Sequence, residues 1–124
     1  MNRPIENSYI SRYRYYELKY FCYQYREWEK EKTRLNFFPG GNFRQKVPDP
    51  TGDLAVQLAS IEYKIEIVDK CLEEAGGGIA PWLKQCVVDG KSYNVLVSNG
   101  VPCGKEYFYQ RYRAFFTRIN QCVE

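Results

Sequence analysis

The stretch DLAVQLASIEYKIEIVDKCLEEAGGG, from Asp53 to Gly78, decides the fold of this 124-residue chain. Its aliphatic residues recur at alternating spacings of four and three: Leu54, Leu58, Ile61, Ile65, Val68 and Leu72. This heptad pattern predicts one long amphipathic helix with a single apolar seam. The helix should begin at the capping residues 51–53 and end near Ala75, because three glycines follow it.

A second seam precedes this helix. Residues 7–35 contain neither proline nor glycine, and Tyr15, Leu18, Cys22 and Tyr25 recur at helical spacing. We therefore predict a long helix over about 7–35. The segment 37–52 holds three prolines and three glycines, a composition typical of a connecting loop.

The two seams are most simply buried against each other. The loop is long enough to return the chain, so residues 7–75 are predicted to form an antiparallel two-helix hairpin. Pairing of the seams across a homodimer is the alternative.

Shorter helices are predicted in the remainder, residues 79–122. Pro81 opens a helix that runs to about Val88, and Asp89-Gly90 turns the chain. Ser92 can cap a short helix, which ends before a turn at residues 99–104, and a final helix reaches about Cys122. The fold class is therefore all-α, a single domain in which the hairpin is followed by a helix-turn-helix-like three-helix unit. The turn is a few residues longer than the tightest form of that motif.

The final helix has two different faces. On a helical wheel Phe108, Tyr112, Phe115 and Ile119 share one side, which predicts the buried face. The outer face and its margins carry polar side chains: Lys105, Glu106, Tyr109, Gln110, Arg113 and Thr117. Arginine pairs with guanine and glutamine with adenine in the DNA major groove, so this face predicts contact with double-stranded DNA.

Composition narrows the classes of function. The chain has no histidine, and its five cysteines form no closely spaced pair, so neither a metal, nor another cofactor, nor an enzyme active site is expected. The net charge is +3, and it is segregated, since residues 51–76 carry two basic against six acidic residues. No apolar run approaches the roughly 20 residues that cross a bilayer, and no secretory signal is visible, so a cytoplasmic location without a membrane partner is expected.

Several segments together resemble a known family. They are the run 89–93 (DGKSY), the run 101–104 (VPCG), Phe108-Tyr109 and the run 113–116 (RAFF), with YELKYFC at 16–22, Gln24-Tyr25, Trp28 and Asp53-Leu54-Ala55 nearer the N-terminus. This combination resembles small transcriptional regulators of the RinA and ArpU type, from bacteriophages and mobile elements of Gram-positive bacteria. The C-terminal part of these regulators is similar to region four of bacterial sigma factors.

The resemblance implies a non-enzymatic, sequence-specific regulator that binds double-stranded DNA through the outer-face residues of the last helix. RNA polymerase is a further candidate partner. A homodimer is expected, because one small helix-turn-helix rarely binds tightly alone. The lengthened turn departs from the pattern of the motif and bears on the register of the DNA-contacting residues.

The alternative to DNA binding is that the chain binds another protein. The first helix carries surplus tyrosines, Tyr13, Tyr16, Tyr20 and Tyr23, which either pack on several neighbours or form a stacking surface for nucleic-acid bases. If they are exposed, they suit a protein interface. The chain would then be a phage-encoded protein that binds and inhibits a host protein or ribonucleoprotein, for example in anti-defence.

Overall fold

The computed structural model describes residues 10–37 and 50–124, and within these ranges it contains helices and no strand. The all-α prediction is confirmed. The α-helices are α1 Arg12–Tyr23, α2 Tyr25–Phe37, α3 Pro50–Gly76, α4 Ala80–Asp89, α5 Tyr93–Ser98 and α6 Lys105–Cys122. A single 3₁₀ turn, Gly77–Ile79, joins α3 to α4. Residues 7–9 and most of the predicted loop 37–52 lie outside the described residues.

The prediction of one uninterrupted first helix was wrong. The α-helical hydrogen-bond pattern is interrupted at Gln24, which keeps right-handed dihedral angles but whose N–H donates to the carbonyl of Phe21 over 3.2 Å. Such a bond between residues three apart tightens the turn. The buried residues Cys22, Tyr25 and Trp28 follow one another at spacings of three, which a tightened turn keeps on one side. All three side chains belong to the apolar core.

Helix α3 matches its predicted extent closely. It begins at Pro50, so the predicted capping segment 51–53 lies inside its first turn, and proline suits the first helical position. Its seam is buried at Val68 and Leu72, whereas the four seam residues nearer the N-terminus are half-buried. The C-terminal half of α3 is therefore the part that lies in the core.

Helix α3 contacts α2, α4 and α6. Its contacts with α2 run in opposite chain directions, since the Tyr25 hydroxyl donates to Asp69 over 2.7 Å and Lys32 pairs with Glu62 at 3.8 Å. One apolar core collects residues from α1 to α6. Burial of each large apolar side chain in it contributes about 1.5–3 kcal/mol.

Capping residues bound the short helices α4 and α5 at the predicted positions. Gly90 closes α4 with a φ of +74°, and the Ser92 side chain accepts a hydrogen bond from the Val95 N–H, 3.4 Å away, at the start of α5. The connection that follows is fixed by hydrogen bonds, since the Tyr93 hydroxyl donates to the Cys103 carbonyl over 2.7 Å. None of the described helices combines the length and the apolar character that a bilayer crossing requires.

Candidate nucleic-acid interface

The inner face of α6 anchors this helix in the core. Phe108, Phe115 and Ile119 are each 0% exposed, and Phe116 is also buried. Their rings pack at angles, for example Phe115 against Phe116 edge-on with centroids 5.1 Å apart. Such packing fixes the rotation of the helix about its own axis. The opposite face of α6 is therefore held toward the solvent.

The structure divides the six predicted contact residues into two groups. Lys105, Glu106, Gln110 and Arg113 are exposed, and Thr117 is half-buried at the edge of the same face. Tyr109 is different, because its half-buried ring joins an aromatic cluster that includes Tyr93, Phe108 and Tyr112. Tyr109 thus supports the helix with its ring and reaches solvent only in part.

The three arginines of α6 have different roles, which the sequence pattern did not separate. Arg111 donates from Nη1 to the carbonyl of Ala75 over 3.1 Å, near the end of α3, while its Nε is buried without a partner among the described residues. Arg118 pairs with Glu74 at 3.0 Å. Arg113 is exposed and makes neither an ion pair nor a side-chain hydrogen bond within the described part of the chain.

Helix α1 holds the other edge of α6. The Arg14 Nε donates to the Asn120 side-chain oxygen over 2.6 Å, and its Nη2 donates to the Val123 carbonyl. Carbonyls at a helix C-terminus lack intrahelical donors and attract cations. Arg14 therefore stabilises the last turn of α6.

The region before α6 departs from a compact helix-turn-helix. Helix α5 has six residues, and residues 99–104 separate it from α6, whereas the motif usually has a turn of about 3–4 residues. The sequence of α5 contains neither lysine nor arginine, and its Val95 and Val97 are exposed. Cations near this part of the fold are Lys91, which is exposed before α5, and Lys105 at the start of α6. The positive charge in this region therefore comes from Lys91 and Lys105 and not from α5.

A second exposed surface lies on α1. Tyr13, Tyr16 and Tyr20 are 78%, 42% and 61% exposed, and their spacing of three and four places them on one face, which we call the tyrosine stripe. Arg12 and Lys19 border the stripe. Tyr23 is half-buried beside Gly90. Of the surplus tyrosines, therefore, Tyr23 packs on a neighbouring segment, Tyr13 and Tyr20 mainly face solvent, and Tyr16 is partly covered by Tyr15.

The described residues offer little that supports catalytic chemistry. No group of histidine, cysteine or acidic side chains among them is placed to hold a metal ion. Cys103 lies just before α6, where a helix N-terminus can favour a thiolate. Burial instead raises the pKa of this thiol, so Cys103 lacks the character of an activated nucleophile.

Comparisons with known proteins give no family for this chain. No protein-family model matches it, and neither the curated proteins nor the solved structures contain a significant match.

Proposed function

We propose that this protein is a non-enzymatic transcriptional regulator of phage or mobile-element origin that binds double-stranded DNA in a sequence-specific manner. Helix α6 acts as the recognition helix of a helix-turn-helix-like unit formed with α4 and α5, and the long-helix hairpin is its scaffold. The protein acts in the bacterial cytoplasm, as a homodimer that places two copies of α6 on two half-sites. The resemblance to regulators of the RinA and ArpU type supports the same function.

The observation that carries the proposal is the division of α6 into two faces. Phe108, Phe115 and Ile119 are buried, while Gln110 and Arg113 point away from the core. A major groove accepts a helix that presents donors and acceptors in this way. Arg113 suits the two acceptors of guanine and Gln110 the edge of adenine, whereas Lys91, Lys105 and Thr117 suit phosphates.

A binding assay with DNA flanking the gene of this protein tests the proposal. Arg113→Ala should weaken binding to the preferred site by roughly 5–150-fold, because one good bidentate contact contributes about 1–3 kcal/mol. Gln110→Ala should have a similar effect at a different base pair. Lys70→Ala and Gln57→Ala are matched controls, since both residues are exposed on α3. The control variants should bind like the unchanged protein.

The dependence on salt gives a second criterion. Phosphate contacts release counterions, so the affinity for DNA should fall steeply as the salt concentration rises. Negligible binding to DNA at low salt, or equal losses in Arg113→Ala and Lys70→Ala, would remove the basis for the proposal.

The tyrosine stripe favours one second candidate, an inhibitor that binds a host protein or ribonucleoprotein. Tyrosine is enriched among the residues that dominate binding energy at protein interfaces, and three tyrosines share one exposed face of α1. Under this alternative, capture of a host factor from a lysate should be lost in a Tyr13→Ser/Tyr20→Ser variant and kept in Arg113→Ala. Capture that is kept in the double tyrosine variant and lost in Arg113→Ala would rule out the inhibitor function.

A further inference from the structure

We propose that Cys71 and Cys122 form an oxidation site, at which a small-molecule disulfide converts the two thiols into a cross-link between α3 and the end of α6. The Sγ atoms of these residues lie 3.9 Å apart, although the residues are 51 positions apart in the chain. This inference does not depend on the proposed function.

The geometry allows the bond to form with a small local movement. A disulfide has sulfur atoms about 2.05 Å apart, so the two Sγ atoms must approach by about 2 Å. Cys71 is only 1% exposed in the interior of α3, where the core fixes it. Cys122 is the last residue of α6 and is exposed. The exposed Cys122 side chain can change rotamer without breaking the bonds from Arg14 to Asn120 and Val123, so Cys122 supplies the movement.

The other cysteines do not combine an exposed thiol with a thiol partner at this distance. Cys22, Cys86 and Cys103 all lie in the described part of the chain, and none of them makes a sulfur–sulfur hydrogen bond there, although Cys22 lies close enough to Cys71 for an electrostatic interaction. Cys22 is also fully buried, so an oxidant reaches it only after unfolding. The structure therefore singles out one pair.

Because Cys122 is exposed and Cys71 is buried, Cys122 reacts first with the small disulfide and Cys71 reacts second. The Cys122 thiolate attacks one sulfur of the small disulfide, whose S–S bond breaks, and one small thiolate leaves and takes up a proton. The Cys71 thiol then loses its proton to solvent and its sulfur attacks the Cys122 Sγ of the mixed disulfide. The second small thiol leaves. Two protein thiols are oxidised, and one small disulfide is reduced to two thiols.

The second step should be slow near neutral pH. Burial, followed by the proximity of Cys122, raises the pKa of Cys71 to about 12. Burial, the largest of these causes, persists when glutathione occupies Cys122, and only the thiolate attacks, so the rate of closure should rise with pH. The mixed disulfide on Cys122 should therefore be visible before it disappears.

The test is a time course of the full chain, first reduced and then treated with oxidised glutathione, followed by intact mass and peptide mapping. The expected product is a single chain, free of interchain disulfides, that has lost two hydrogen atoms and has Cys71 joined to Cys122. Cys122→Ser should prevent both the transient adduct at this site and the cross-link. Cys71→Ala should retain the glutathione adduct on Cys122, because the attacking thiol is absent. Cys103→Ser is the control, and its Cys71–Cys122 disulfide should form at the same rate as in the unchanged protein.

A stability measurement keeps the proposal testable if a variant folds poorly. The cross-link in the unchanged protein should raise Tm by on the order of 5–10 °C, and a thiol reductant should reverse this rise. Persistence of the adduct in the unchanged protein at high pH, or a cross-link between the Cys122 residues of two chains in place of the internal one, would overturn the proposal. Closure in Cys71→Ala at the normal rate would also overturn it.

Discussion

The hydroxyl oxygens of Tyr15 in α1 and Tyr112 in α6 lie 2.5 Å apart and share a hydrogen bond. The Tyr15 ring also meets the Phe116 ring edge-on, with centroids 5.1 Å apart. Burial raises the pKa of Tyr112 far above its ordinary value, and the bond to Tyr15 adds to this rise. Tyr112 therefore keeps its proton, and α1 lies directly against the helix that presents Gln110 and Arg113.

Removing either hydroxyl should weaken the link between α1 and α6. Tyr15→Phe and Tyr112→Phe should each lower the free energy of unfolding by about 1 kcal/mol, because each removes the shared bond and leaves the other hydroxyl unpaired. The double variant should lose less than the sum of the two, since the bond is lost only once. Urea denaturation measures these values. Tyr63→Phe, at an exposed site, is the control, and strictly additive losses would contradict the bond.

Arg14 and Arg12 form a matched pair at the start of α1. Arg14→Ala should lower the free energy of unfolding by about 1–2 kcal/mol, since it removes charge-assisted donors from Asn120 and from the Val123 carbonyl. Arg12→Ala should change it by less than about 0.5 kcal/mol, because Arg12 is exposed and makes no such bond within the described residues. Thermal denaturation of both variants measures the difference in their stability. Equal effects would show that charge alone, without the contact to α6, is responsible.

Gly90 and Gly78 form a second matched pair. Gly90 ends α4 with a φ of +74°, so Gly90→Ala should destabilise the fold by about 1 kcal/mol through backbone strain. The added methyl group would lie 3.6 Å from the Tyr23 hydroxyl oxygen, which is an ordinary contact. Gly78 has no positive φ and open space around it, so Gly78→Ala should be neutral or slightly stabilising. A neutral result at Gly90 would contradict the assigned strain.

Much of this fold follows from local chemistry that the sequence displays. Pro81, Gly90 and Ser92 act within their own segments, so the boundaries of α4 and α5 were predicted to within a residue or two. The wheel of α6 likewise predicted the buried face, because an amphipathic pattern depends on residues of that helix alone. Phe108 and Phe115 are indeed buried.

The parts that sequence reasoning missed depend on residues distant in the chain. The break at Gln24 involves neither proline nor glycine, and the core residues next to it, Tyr25 and Trp28, contact Asp69 and Lys64 of α3. The separate roles of the α6 arginines depend on where α3 ends, since Ala75 and Glu74 engage two of them. No spacing along α6 reveals these partners.

The buried thiols should make stability fall in alkaline solution. Burial raises the pKa of Cys22 from 9.0 to about 12 and that of Cys86 to about 11. A thiol with a raised pKa in the folded state stays neutral while the unfolded chain ionises. The stabilisation is therefore complete below pH 9 and is lost as the pH rises toward 12.

Urea denaturation in a thiol-free reductant, carried out from pH 9 upward, measures this loss. For each buried thiol the free energy of unfolding should fall by up to about 1.4 kcal/mol per pH unit. Cys22→Ala should start from a lower stability and lose it less steeply above pH 9. A slope identical to that of the unchanged protein would show that Cys22 ionises equally in both states.

Substitutions in the tyrosine stripe distinguish an effect on folding stability from an effect on DNA binding. Tyr13→Ser/Tyr20→Ser should change the free energy of unfolding by less than about 1 kcal/mol, because both rings are mainly in solvent. If α6 alone reads the DNA, the affinity of this double variant for the preferred site should stay within about twofold, while Arg113→Ala loses affinity under the same conditions. Fluorescence anisotropy with labelled duplex measures both. Equal losses in the two variants would mean that α1 contacts the same DNA, and the recognition surface would then have to include both helices.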